Sequence, residues 1–106
     1  MENLGMPKLL RFFFEYGVDT PLWPAVGEGL GPVEVEDLPV GSALRAELSA
    51  LSELYQSSLD WSDPGGPSLQ SEEQWAAFQL RADAALAELR RQLGQGFVVQ
   101  GHQLLA

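Results

Sequence analysis

Residues 71–94 read SEEQWAAFQLRADAALAELRRQLG, and they carry signals for the start and the end of a helix. Ser71 followed by Gln74 is a capping box, in which each residue satisfies a free backbone N–H group of the other. Gly94 suits the position after a helix, where a positive φ is common. Charges match the helix dipole at both ends: Glu72, Glu73, Arg90 and Arg91. These signals predict a helix of about 22 residues.

The apolar residues of this segment recur at helical spacing, and those of a second segment do the same. In residues 71–94 they are Trp75, Phe78, Ala82, Leu86, Leu89 and Leu93. An earlier stripe predicts a first helix from after Gly41 to about Leu59, and its members are Leu44, Leu48, Leu51, Tyr55 and Leu59. The sequence DWSDPGGP at residues 60–67 separates the two stripes. Because this connection is short, we expect the helices to be antiparallel neighbours.

Two segments near the ends of the sequence predict strands. Lys8–Tyr16 alternates, with Leu10, Phe12, Phe14 and Tyr16 on one face, and Phe97–Gln100 is a second short apolar run. The first strand has one apolar and one mixed face, so we expect helices on only one side of the sheet. A lone strand leaves its backbone unpaired, so the two strands should pair, and we favour an antiparallel pair. Val33–Val35 is a candidate third strand at the edge.

These elements predict a single α+β domain over residues 1–106. Its order is β-α-α-β, with two antiparallel helices packed on one face of a small two- or three-stranded sheet. The connection from Val18 to Val40 contains four prolines and three glycines. A connection of this length is often functional, although it can equally be an ordinary loop over the core.

The charge of the chain is −9, and it is concentrated in the middle of the sequence. Residues 12–80 contain twelve acidic residues and one basic residue, Arg45. Such a segment disfavours nucleic acid, whose phosphates need Lys and Arg. It would attract a basic partner, although acidity also serves solubility alone. No run is long and apolar enough to span a membrane, and Met1–Pro7 lacks signal-peptide features, so the expected setting is cytoplasmic.

The residue types that support catalysis or cofactor binding are scarce. There is no cysteine, and His102 is the one histidine, so neither a thiol nucleophile nor a two-histidine metal site is available. The paired carboxylates have no pattern that places them in one pocket, as acid–base catalysis requires. We therefore predict no enzyme activity, no catalytic residue, no metal site and no cofactor.

The candidate partner-binding residues are two tryptophans and three acids in predicted loops: Trp23, Glu34, Glu36, Asp37 and Trp61. Tryptophan is enriched at binding hot spots. Trp23 stands between prolines in TPLWP, which would hold its ring in a fixed pose. The alternative is that the tryptophans are lids over the core and that the acids form a solvated face.

Phe12, Glu15, Tyr16 and Gly17, followed by Pro21, Leu22 and Trp23, form the pattern F-x-x-E-Y-G…P-L-W. With Leu38-Pro39 before the first helix and Asp60-Trp61 after it, this resembles a set of small bacterial proteins of uncharacterised function. The resemblance implies a small α+β fold and a bacterial, cytoplasmic setting. It implies no activity and no catalytic residues.

Three hypotheses for the function follow. The first is a protein-binding module, such as an inhibitor, antitoxin or immunity-type protein for a basic partner. The second is a structural protein that associates with a second copy of itself, with Leu54 and Leu80 available because they lie off the helical stripes. The third, ranked last, is an enzyme or small-ligand binder built around Tyr16 and Trp23.

Overall fold

The computed structural model describes residues 8–24, 31–63 and 65–101. The strands in these ranges are β1 (Lys8–Phe12), β2 (Leu22–Pro24) and β3 (Phe97–Gly101). The helices are α1 (Ser42–Ser57) and α2 (Glu72–Leu93), and two 3-10 turns cover Val35–Asp37 and Gly94–Gly96. The fold is therefore α+β, with the chain order β-β-α-α-β over the described residues.

The sheet has three strands in the order β2-β1-β3, and it is mixed. β1 and β2 are antiparallel, with Phe12 opposite Leu22. β1 and β3 are parallel, with Leu10 opposite Val99, so the expected antiparallel pairing is wrong. The third strand is β2 rather than Val33–Val35, of which Val35 begins a 3-10 turn. From the Val33–Val35 segment, the backbone N–H of Val33 donates to the Leu22 carbonyl of β2 at 2.7 Å.

The additional strand explains the parallel pairing. If each successive strand or helix reverses the direction of the chain, the number of elements between β1 and β3 sets whether these two strands are parallel. Without β2, the pair of antiparallel helices would return the chain to the C-terminal end of β1, and β3 would then run antiparallel to β1. β2 adds one return passage, so β3 begins beside the start of β1, where Lys8 faces Phe97.

The two helices form as the sequence signals predict. Ser71 accepts a hydrogen bond from the Gln74 backbone, and the Gln74 side chain accepts one from the Ser71 backbone, at 3.1 and 2.7 Å. Gly94 ends α2 with φ of 69° and ψ of −155°. The φ is positive as predicted, whereas the ψ lies outside the left-handed helical region. Only glycine adopts this conformation readily.

Three contacts show that the helices are antiparallel. Near the start of α1, the Gln92 side chain accepts a hydrogen bond from the Gly41 backbone at 2.7 Å. In the middle, Arg81 donates two hydrogen bonds to Glu47, at 3.0 and 2.8 Å. Near the end of α1, Gln70 donates to the Leu54 carbonyl at 3.0 Å. Gly41 has no side chain to cap α1, so Gln92 satisfies one N–H group at the start of that helix.

The core lies between the helices and one face of the sheet. Its members from the strands and the segments that follow them are Leu10, Phe12, Phe14, Leu22, Val35, Leu38, Val40 and Val99. Those from the helices are Leu44, Leu48, Leu51, Phe78, Ala82, Ala85, Leu89 and Leu93. Fully burying one leucine side chain contributes about 1.5–3 kcal/mol, so the buried members of both helical stripes stabilise the packing against the sheet. The other sheet face is partly wet, as expected, with Leu9 and Phe13 half-buried and Val98 exposed.

Candidate functional site

A pocket of about 190 Å³ lies between the Val35–Asp37 turn, the segment at residues 19–20 and the outer side of α1. Its charged lining is mostly acidic: Asp19, Glu34, Glu36 and Glu53, with Arg45 as the one base. Four carboxylates and one guanidinium give this lining a net charge of −3. We name it the acidic pocket. It lies entirely within the acidic middle of the sequence.

Two of the predicted partner-binding acids, Glu34 and Glu36, line the acidic pocket. Asp37 is exposed on the same 3-10 turn but does not line it. The turn is anchored by Val35 and Leu38, which are buried in the core, while all three acids remain exposed. The local sequence EVEDL therefore alternates core anchors with charges that face the solvent.

The wall formed by α1 is fixed by Gln56, which lines the acidic pocket. Its side-chain nitrogen donates to the carbonyls of Glu15 and Val18, at 3.0 and 2.9 Å. Its side-chain oxygen accepts from the Gly17 backbone at 2.8 Å. Gly17 has a φ of +87°, so this turn suits glycine. No sequence signal marks this contact, because Gln56 lies outside the apolar stripe of the helix.

Trp61 lies just beyond the end of α1 and is 56% exposed. Its indole N–H donates to the Gln56 carbonyl at 3.0 Å. Its ring meets the Tyr16 ring edge-on, with 6.1 Å between the centroids. Trp61 is therefore joined through Gln56 to the acidic pocket, and it is not a lid over the core.

Tyr16 has a structural role. Its ring stacks on Tyr55 with 4.5 Å between the centroids. Its hydroxyl is hydrogen-bonded to Ser58 Oγ, at 2.9 Å. Burial raises the pKa of the Tyr55 hydroxyl, and the neighbouring Tyr16 and Glu15 raise it further. These contacts tie the start of the long connection to the end of α1.

Trp23 is separate from the other candidate residues. It lies on the outer face of the sheet, half-buried, with its ring stacked on Phe13 at 4.7 Å between the centroids. The indole N–H donates to the Phe13 carbonyl at 3.0 Å. This ring covers the wet side of the sheet and does not pack against the core cluster. It therefore shares no surface with the acidic pocket.

Within residues 8–24, 31–63 and 65–101, no group of three or more metal-binding side chains is arranged to hold an ion. The helices of those same ranges include none with the length and apolar character needed to cross a membrane. His102, the one histidine of the sequence, lies outside the described ranges.

A family model described as Serratia CdiI immunity protein-like matches residues 8–102. The chain belongs to this family. The match spans all three strands and both helices, from the first residue of β1 to the residue after β3. No curated protein is similar enough to the chain to count as a match.

Membership in this family supports an immunity-type protein, which is one of the classes named in the first hypothesis from the sequence. Proteins of this type bind a partner toxin and are generally not enzymes. The acidic pocket and Trp61 are thus candidate contact surfaces on a protein whose family works by binding another protein.

Proposed function

We propose that the protein neutralises a toxin by binding a basic surface of it through the acidic pocket and the residues around the pocket. The contacts would come from Glu34, Glu36 and Asp37, with Trp61 as an aromatic anchor at the edge. Trp23 would make a separate contact from the outer face of the sheet. The observation that carries this proposal is the acidic pocket itself, with its net charge of −3, on a chain of the immunity-type family.

The electrostatics support a rapid encounter with a basic partner. Complementary charge on two surfaces raises the association rate, and aromatic anchors with a polar rim then hold the complex. For an immunity protein, a high association rate would limit the time during which a free toxin acts. A cytoplasmic location would bring the protein to a toxin that has entered or been made in the cell.

The test is co-expression with the protein encoded by the neighbouring reading frame, together with measured binding kinetics. Changing Glu34, Glu36 and Asp37 together to lysine should lower the association rate by roughly tenfold or more and abolish protection. The control changes Asp63, Glu73 and Asp83 to lysine, which alters net charge equally but leaves the turn intact. If the turn variant still captured and neutralised the toxin as the unaltered protein does, the proposal would be wrong.

A second candidate is self-association, because Leu54 and Leu80 are 37% and 71% exposed on α1 and α2. A second copy could cover these side chains. Sedimentation at high protein concentration tests this directly. A monomer throughout the concentration range would exclude it, and a dimer that Leu80→Asp dissociates would support it.

A further inference from the structure

A buried hydroxyl group without a partner belongs to one of the residues that line the acidic pocket. Ser52 belongs to α1, is 2% exposed and lines this pocket. Within the described part of the chain, its Oγ is a buried side-chain polar atom with no hydrogen-bond partner. Leaving such a group unsatisfied costs about 1–3 kcal/mol. Native proteins keep few of them, so an unsatisfied hydroxyl beside a charged pocket points to a donor supplied from outside.

The carboxylates around the acidic pocket are also available. Over the described residues, the ion pairs are Arg81–Glu47 and Arg91–Glu88, so none of the pocket acids is paired. Arg45, which lines the pocket as well, forms no ion pair in the same ranges. Unpaired carboxylates and an unsatisfied hydroxyl together form a set of acceptors to which Arg45 is not paired in the described ranges.

The arrangement of these acceptors indicates which donor fits. They do not converge as a metal ion requires. An ammonium group is a compact and strongly hydrated point charge, so entering a pocket costs it more hydration than it costs a guanidinium. A guanidinium group instead spreads five N–H donors over a planar fork, which matches acceptors distributed around a pocket.

We propose that the acidic pocket receives one arginine side chain of the partner toxin. The guanidinium donates to Ser52 Oγ and to carboxylates at the rim, and the arginine stem packs beside Val35, which also lines the pocket. This inference rests on the proposed function and makes it more specific, because it names the anchoring residue type on the toxin. Arg45 repels the incoming guanidinium and weakens the binding.

The test uses Nα-acetyl-L-arginine amide as a probe, with the lysine analogue as its matched comparison, and amide NMR shifts as the readout. We expect saturable shifts at residues lining the acidic pocket, with weaker binding of the lysine analogue. Ser52→Ala should weaken arginine binding roughly tenfold, because it removes a hydrogen bond to a charged group. Glu36→Gln should weaken it about twofold to fivefold, Glu73→Gln should leave it unchanged, and Arg45→Gln should strengthen it.

The Ser52→Ala variant separates a binding role from a structural one. Because the hydroxyl has no partner within the described protein, its removal should leave thermal stability unchanged or raise it while arginine binding weakens. Shifts that do not saturate, equal binding of the lysine analogue, or full binding by Ser52→Ala would each overturn the proposal. If the toxin binds but the arginine probe does not, this inference fails and the proposed function stands. If the toxin itself does not bind, the proposed function fails whatever the probe does.

Discussion

The side-chain amide of Gln56 uses both its donor and its acceptor atoms on the turn over residues 15–18. It thereby joins the end of α1 to the chain that leaves β1. The same residue lines the acidic pocket and accepts the indole N–H of Trp61 at its carbonyl. A single side chain therefore holds both the turn and one wall of the candidate site.

We expect Gln56→Ala to lower the free energy of unfolding by about 2 kcal/mol, because three hydrogen bonds to the backbone are lost at once. Urea unfolding monitored by tryptophan fluorescence measures the change. Gln79→Ala is the matched control, because Gln79 makes one exposed hydrogen bond, to Asp83. Equal stabilities of the two variants would show that the turn is held by other contacts.

Glu88 accepts hydrogen bonds from Arg91 and from Gln92, and these lower the pKa of its carboxyl group to about 2, with Arg91 as the larger cause. The usual value is about 4.3. Since the folded-state pKa is the lower one, the stabilisation is complete above the usual value and is lost as the pH falls towards about 2. A carboxyl ¹³C NMR titration should give a midpoint near 2 for Glu88. Arg91→Gln should raise that midpoint, and an unchanged midpoint would contradict the assigned cause.

At the level of the elements, α2 depends on the reciprocal bonds between Ser71 and Gln74 at its start. Ser71→Ala should destabilise the protein by about 1 kcal/mol, because it leaves a helix N–H group without its acceptor. Thermal unfolding measures this change. Ser42→Ala is the control, because Ser42 is the first residue of α1 but does not cap it. The capping position of α1 is Gly41, whose backbone N–H donates to the Gln92 side chain. If Ser42→Ala lowered the thermal stability more than Ser71→Ala does, our assignment of the helix caps would be wrong.

The helices were predictable because their signals are local. A capping box, charged first and last turns and a 3.6-residue apolar period lie within one segment, and the structure confirms the start of α2 at Ser71. The strand pairing was not predictable in the same way. β2 has only three residues, Leu22–Pro24. It follows Pro21 and ends in Pro24, and prolines argue against a strand. Missing this strand reversed the predicted direction of β3.

The candidate site was predictable only where its residues carry a local sequence signal. Glu34 and Glu36 stood out as an acidic cluster in a long loop, and the structure places both at the acidic pocket. Ser52 and Gln56 gave no signal, because a polar residue on an amphipathic helix normally faces water. Their importance depends on the loop that packs over α1, which is a tertiary feature.

At the level of the whole molecule, we expect the uneven charge to influence how a partner approaches. The acidic middle of the sequence carries a net charge of −11 over residues 12–80, and the acidic pocket lies within it. Arg90, by contrast, donates two hydrogen bonds to the Val99 carbonyl, at 3.0 and 2.7 Å, so this positive charge attaches α2 to β3. The acids of the pocket, which form no ion pair in the described ranges, are left available for long-range attraction.

We expect the association rate with the toxin to fall steeply with ionic strength while the dissociation rate changes little. Screening shortens the range of attraction to about 8 Å at physiological salt and to about 3 Å at 1 M. Stopped-flow measurements across this range test the expectation. The lysine variant of Glu34, Glu36 and Asp37 should show a weaker salt dependence. An association rate independent of salt would indicate that encounter is not electrostatically guided.

The parallel pairing of β1 with β3 also has a consequence for biosynthesis. Phe97 follows its pairing partner Lys8 by 89 residues. At a translation rate of about 5–20 residues per second, β1 leaves the ribosome several seconds before the strand that covers its open side exists. During that interval the nascent chain exposes an unpaired strand edge, which is prone to aggregation. Under the proposed function, we therefore expect a newly made molecule to bind its partner only after β3 has been synthesised and has docked.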